Sequence, residues 1–257
     1  NLEKTSNKYG FISSEKILQF FENKGFTLDE VSYAKTKDLS NAGYQKHIMI
    51  FSRPDLFIDN GNKLQLLVTN SHDAKSSLRL NIGVFRVVCA NGLVSGEDFL
   101  ERRVLHKGDF KKQLSESLDY IVANIGSVKD QVNTMKSHKV TFEQAQSYMK
   151  KVVDLRLENI NGLKDINLAT VDQVRRGHDA GDDIYTFFNR VQESIIRGGI
   201  RYTTETKKLD ENKVELLDCF GNNILQIKNG TTRAIKDFTR KTELNKALWN
   251  EALKLAA

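Results

Sequence analysis

At Gly108 the spacing of the apolar residues changes, and this change limits the folds open to the chain. After it, Leu114, Leu118, Ile121, Ile125, Val128, Val132 and Met135 recur at steps of four and three. That is the repeat of a helix of about 25 residues with one apolar seam. Such a seam serves either a coiled coil or a packed helical layer, and the layer is the commoner use. Before Gly108 the period is two. Ile48 and Ile50 alternate with His47, Met49 and Phe51, and segments 27–35, 46–53, 63–69, 78–89 and 99–107 read as strands. Asn60-Gly61 is a hairpin turn between two of them. A helix precedes the strands, capped by Ser13 or Ser14, with Ile17, Leu18, Phe20 and Phe21 as its apolar face and Gly25 as its stop.

The second part is read from its caps. Thr141-x-x-Gln144 is a capping box that opens a helix to about Leu157. Asp182 or Asp183 caps the next, whose apolar face is Ile184, Phe187, Phe188, Val191 and Ile195 and whose end is Gly198-Gly199. A last helix from Thr242 to Leu255 offers Leu244, Leu248, Trp249 and Leu255 for burial. Segment 158–181 shows no clear period, and no internal repeat stands out. Segments 213–219 and 224–228 form a hairpin around Gly221-Asn222-Asn223, inserted near 213–228. The expected class is α+β, an N-terminal helix and mostly antiparallel sheet followed by a helical layer. With one proline and no linker, residues 1–257 are expected to form a single domain, 1–107 as helix plus sheet and 108–257 as its mainly helical part.

Composition adds little. The net charge of +6 suits a polyanion partner without requiring one. Two cysteines, Cys89 and Cys219, are too few for a disulfide framework, which points to reduced, buried thiols in the cytoplasm. No apolar run approaches membrane length, and no signal peptide is visible.

Three clusters carry candidate chemistry. Residues 70–94 hold His72, Asp73, Arg79, Arg86 and Cys89. His72 and Asp73 read either as a site edge, with His47 and Cys89 as further metal ligands, or as a turn in which Asn70, Ser71 and Asp73 bond the local backbone. His178, Asp179, Asp182 and Asp183 read either as a divalent-cation site of a nuclease or as the capping residues of the helix behind them. The third cluster is basic. Arg190 and Arg197 stand opposite the apolar face of their helix, and Arg201 follows. A bulge at Gly83 would bring Arg79, Asn81 and Arg86 to one sheet face, with Phe85, Val87 and Cys89 inward. Arg102, Arg103, His106 and Lys107 line the next strand.

Between that face and the helix end, a groove would form an electrostatic track for a nucleic-acid backbone, with Tyr185 and Tyr202 for stacking. A solvated surface with ion pairs such as Arg102 to Glu101 or Glu97 is the other reading. The expected binding set is Arg79, Arg86, Arg102, Arg103, Lys107, Arg190, Arg197, Arg201 and His72. No catalytic residue, metal or cofactor is expected, since phosphate-loop, dinucleotide and nucleophile-elbow motifs are all missing from the sequence.

Four blocks carry a family resemblance: "KYGFISSEKILQFFENKGF", "NSHDAKSSLRLNIGVFRVVCANGLVSG", "DIYTFFNRVQESIIRGGIR" and "LNKALWNEAL". In order and across nearly the whole chain, they resemble the phage/plasmid-like proteins, domain of unknown function 932. Segment 205–230 is longer than that family usually has. The resemblance implies a setting in phages, prophages and plasmids, in the cytoplasm of a bacterial host. The order of elements is similar in outline to phage single-strand annealing proteins. The expected function is therefore single-stranded nucleic-acid binding, with strand annealing, by a homo-oligomer that has no membrane partner. The alternative is a factor that binds a host defence or replication protein, and a third reading is a metal-dependent nuclease.

Overall fold

Among the described residues six strands of the first part of the chain pair antiparallel, and one face of that sheet carries most of its buried apolar residues. The computed structural model describes residues 10–34, 43–59, 62–72, 77–86, 89–94 and 101–257. Side chains at 57–59, 62–64, 83–86, 89–94, 178, 238 and 239 lie outside that description. The strands are β1 (Thr27–Tyr33), β2 (His47–Asp59), β3 (Asn62–Asn70), β4 (Leu78–Arg86), β5 (Cys89–Val94) and β6 (Arg102–Val104). They lie in the order β1-β2-β3-β4-β5, and β6 joins the Leu78–Leu80 end of β4. Asn60-Gly61 lies outside the described residues.

Register sorts the side chains. Met49, Phe51, Leu66, Val68, Leu78, Leu80, Ile82 and Val104 fall on one face and are buried. Helix α1 (Ser14–Glu22) covers that face, with the Phe21 ring 4.7 Å from that of Phe51. Ser13 is its cap, accepting from the amide of Lys16. β2 runs through Pro54, which lacks an amide hydrogen, and its pairing with β3 shifts between Ser52 and Phe57 to accommodate it. The seam of helix α2 (Phe110–Ser137) is buried at all seven positions, so it is consumed within the fold.

The chain divides into two compact units, Asn1–Gln131 and Val132–Ala257, with the boundary inside α2. The second unit holds helices α3 (Phe142–Leu157), α4 (Ile184–Arg197) and α5 (Phe238–Leu255), and strands β7 (Leu163–Ile166), β8 (Arg201–Lys207) and β9 (Leu225–Thr231). The fold is α+β. Thr141 and Gln144 form the capping box of α3, Asp183 caps α4, and Gly198 at φ 83° ends it. α5 begins four residues before the expected Thr242, where Asp237 caps it by accepting from the amide of Arg240. Trp249 is fully buried, its ring edge-on to Phe188 at 5.5 Å. The Tyr148 hydroxyl donates to the Leu248 carbonyl across α3 and α5.

The inserted hairpin takes a different form from the expected one. β9 pairs with β8, from Arg201↔Thr231 to Lys207↔Leu225, and 213–219 forms no strand. Residues 208–224 make two turns eight residues apart. Asp210 Oδ1 accepts from the amides of Asn212 and Val214, and Asp218 Oδ1 from those of Phe220 and Asn222. The left-handed positions are Lys213 and Gly221. Lys208 N donates to Ile224 O, Ile224 N to Leu216 O, and Leu216 N to Lys208 O, closing a ring.

Two glycines predict opposite effects. An added Cβ at Gly230 would lie 2.3 Å from the Tyr202 ring, so Gly230→Ala should destabilise by about 1–3 kcal/mol. At Gly126, inside α2, a Cβ meets nothing within 4 Å, so Gly126→Ala should stabilise by about 0.5–1 kcal/mol. Denaturant titration of each variant measures both. Trp249 emission in the native chain should be that of a buried indole, shifting to longer wavelength on unfolding.

Candidate nucleic-acid interface

β6 sets Arg103 directly opposite Arg79 of β4. Both are exposed, on the face opposite the apolar core. Like charges placed this way repel. Glu101 relieves part of the repulsion, with Arg79 Nη1 2.9 Å from its carboxylate, while Arg103 Nε donates to Ser77 Oγ at 2.7 Å. Toward the middle of that face Gln65, Leu67, Thr69 and Asn81 are buried, so the arginines stand at the β4–β6 side. Lys107, just beyond β6, is exposed.

The expected bulge at Gly83 is not there. Every residue from Arg79 to Arg86 pairs one-to-one with β3, and the only shift in β4 lies in its pairing with β5, between Val84 and Arg86. By that register positions 79 and 86 have opposite parity, and Arg86 leaves the row. Arg102 also leaves it. Its guanidinium lies 3.3 Å from the centre of the Tyr120 ring, on the core side, so it joins β6 to α2. The pairing expected for Arg102 goes instead to Arg79, and Glu97 lies outside the described residues. His106 is buried near the Gly10 carbonyl, and burial holds its pKa below the usual value.

In the second unit Arg190 is 8% exposed rather than solvated. Its guanidinium donates to Asp172 at 2.5 Å and to the carbonyls of Asp179 and Gly181, both at 2.7 Å. Its Nη2 lies 3.5 Å from the other Asp172 oxygen, so the guanidinium is engaged inside the fold and does not belong to an outward basic row. Arg197 is half-exposed and pairs with Glu193, and Arg201 is exposed at the start of β8. Tyr185 is buried with the Lys136 ammonium 5.3 Å from its ring centre, and the Tyr202 ring crosses Gly230, so neither offers an open stacking face.

The three aspartates of the acidic cluster serve the fold, and the His178 side chain lies outside the description. Asp183 accepts from the amide and hydroxyl of Thr186, Asp182 pairs with Lys139 at 2.7 Å, and Asp179 is buried in a turn that Arg190 holds. Among the described residues no three His, Cys, Asp or Glu side chains group as metal ligands. Cys219 is a free, exposed thiol, in contrast to the buried one expected, and the Cys89 side chain lies outside the description.

His72 belongs to a different place. It faces His47, with ring centroids 5.0 Å apart, and Ser14 Oγ lies between them, 3.0 Å from Nε2 of His72 and 2.9 Å from Nε2 of His47. The Phe11 ring is tilted against His72 at 4.9 Å and the Tyr33 ring against His47 at 5.7 Å. Asp73 lies outside the described residues. In the sequence, His47 is one possible partner of His72, and Ser14 reads only as a helix cap. The missed signal is the doubled serine: Ser13 alone satisfies the cap, leaving the second hydroxyl for another use.

Arg190 and Arg79 separate in one measurement. Arg190→Ala removes a buried guanidinium and strips the half-buried Asp172 carboxylate and two backbone carbonyls of their donor, and should cost about 2–3 kcal/mol, whereas Arg79→Ala should leave stability within about 1 kcal/mol. Chemical denaturation of the two variants shows the contrast.

No helix among the described residues is long and apolar enough to cross a membrane. Two relatives from Escherichia coli (strain K12), UPF0380 protein YafZ and UPF0380 protein YfjQ, are each 28% identical over 252 residues, covering 96% of this chain and 82% of the relative. No solved structure matches the chain. The family described as domain of unknown function (DUF932) matches residues 1–249, and the chain belongs to it.

Proposed function

We propose that this protein binds single-stranded nucleic acid through the outer β4–β6 edge of its first unit, and that it anneals complementary strands as a homo-oligomer. The observation that carries the reading is the direct opposition of Arg79 and Arg103, with Lys107 beyond them. Two guanidinium groups that repel each other across a strand pair are eased by any phosphate that bridges them. Annealing asks for backbone neutralisation with the bases left free, and needs neither nucleophile nor metal. Arg197 and Arg201 would serve the same purpose on the second unit. The setting proposed is a phage, prophage or plasmid, acting in the cytoplasm of its bacterial host.

A second reading, a factor that binds a host defence or replication protein, draws on the arm at 208–224. Val214, Leu217 and Phe220 are exposed there, Phe220 at 86%, and Leu225 and Ile227 of β9 are exposed as well. Exposed apolar groups in such number are characteristic of protein-binding surfaces.

Fluorescence anisotropy with labelled single- and double-stranded oligonucleotides at two salt concentrations tests the first reading. Single strands should bind more tightly, with log K falling by about 0.7 per phosphate neutralised for each unit of log salt. Arg79→Ala and Arg103→Ala should each reduce that slope, while Arg102→Ala should leave it unchanged. Absence of binding at low salt would remove this reading and leave the protein-partner one.

A further inference from the structure

Ser14, His47 and His72 come from the start of α1, the start of β2 and the residues just after β3, and they meet at one end of the first sheet. A hydroxyl has one proton, so it can donate to only one of two imidazoles that contact it, and the other imidazole must donate to it. His47 settles which is which. Its Nδ1 lies 3.2 Å from the Gln45 carbonyl, which can only accept, so Nδ1 holds the proton and Nε2 presents a lone pair. Ser14 therefore donates to His47, and the Nε2–H of His72 donates to the serine oxygen.

We propose that Ser14 is a nucleophile toward acyl esters, with His47 as its general base and His72 as the residue that holds the hydroxyl in line. The pattern is a nucleophile bonded to a base whose far nitrogen is oriented by a third group, here a backbone carbonyl. Burial pushes the pKa of His47 down, against the opposing pull of the Gln45 bond, so the ring is neutral and able to take a proton. His47 is buried while Ser14 is only half-buried, which keeps the base dry and the oxygen within reach of a reagent. Ser14 is the first residue of α1, where the aligned amides favour developing negative charge.

In the reaction, Ser14 Oγ bonds to the acyl carbon as its proton passes to Nε2 of His47. Collapse of the tetrahedral adduct breaks the bond to the alkoxy oxygen, which leaves as the alcohol with that proton. Water, deprotonated by the same imidazole, then releases the acid and restores the serine. None of this involves the arginine row, and it stands or falls separately from nucleic-acid binding.

A fluorophosphonate probe tests the proposal on the full chain. Oγ would bond to phosphorus, fluoride would leave, and His47 would take the proton. Peptide mapping should place the adduct on Ser14 in the folded protein and on no serine in urea. Ser14→Ala should abolish labelling while anisotropy with oligonucleotides is unchanged. His47→Gln, checked for folding by circular dichroism, should slow labelling on the order of a hundredfold. His72→Gln, which keeps an N–H donor, should label faster than His72→Ala. Lack of an adduct on Ser14 in the folded wild type, or an undiminished rate in folded His47→Gln, would refute the proposal and leave the three residues as a clasp between α1 and the sheet.

Discussion

Burial of the polar side of α4 is the constraint around which the second unit is arranged. Asn189, Arg190, Gln192, Glu193 and Ser194 are all buried, as are the aromatic residues behind them. A buried guanidinium or carboxylate is tolerated only when its hydrogen bonds are made. The chain meets that demand with the segment that has no readable period. Asp172, Asp179 and Gly181 bond Arg190, Arg176 takes the Glu193 carboxylate at 3.1 and 3.2 Å, and Arg175 reaches the Gly198 carbonyl. On the other side, Gln192 bonds Asn245 of α5. Residues 167–183 are irregular because they follow the donors and acceptors of a helix rather than an apolar stripe.

This accounts for what was legible in the sequence. Caps and periods report local chemistry, so Thr141, Gly198 and the seven-residue seam of α2 could be placed from spacing alone, and the cap of α4 was narrowed to Asp182 or Asp183. Arg190 could not. A helical period says which residues share a side, and it is silent on whether the side opposite the apolar one meets water or a polar wrapping. The first sheet presented the same difficulty in another form. One inserted residue reverses parity along the rest of a strand, so the face assigned to Arg86 hinged on a bulge at Gly83 that the continuous ladder to β3 rules out. Arg79 with Arg103 was half legible: both were picked for charge, but their direct opposition depends on how β6 registers on β4.

Contacts between residues far apart in sequence were the least legible. Ser14 lies 33 residues from His47 and 58 from His72, and nothing in the intervening chain signals that they meet. β9 was found as a strand from its own residues, yet its partner was misassigned to the nearest candidate, because the segment between holds its bonds within its turns.

Those turns have a consequence for how the arm can change length. Lys208, Leu216 and Ile224, spaced eight residues apart along the chain, pass their main-chain bonds around a ring. Excising 209–216 would leave Lys208 and Ile224 to exchange both bonds, as facing residues in an ordinary antiparallel hairpin do. Adding another eight-residue unit with an aspartate at the same place would extend the ring by one member. The arm is thus modular: the strands at its base can keep their register while evolution adds or trims whole turns at its tip.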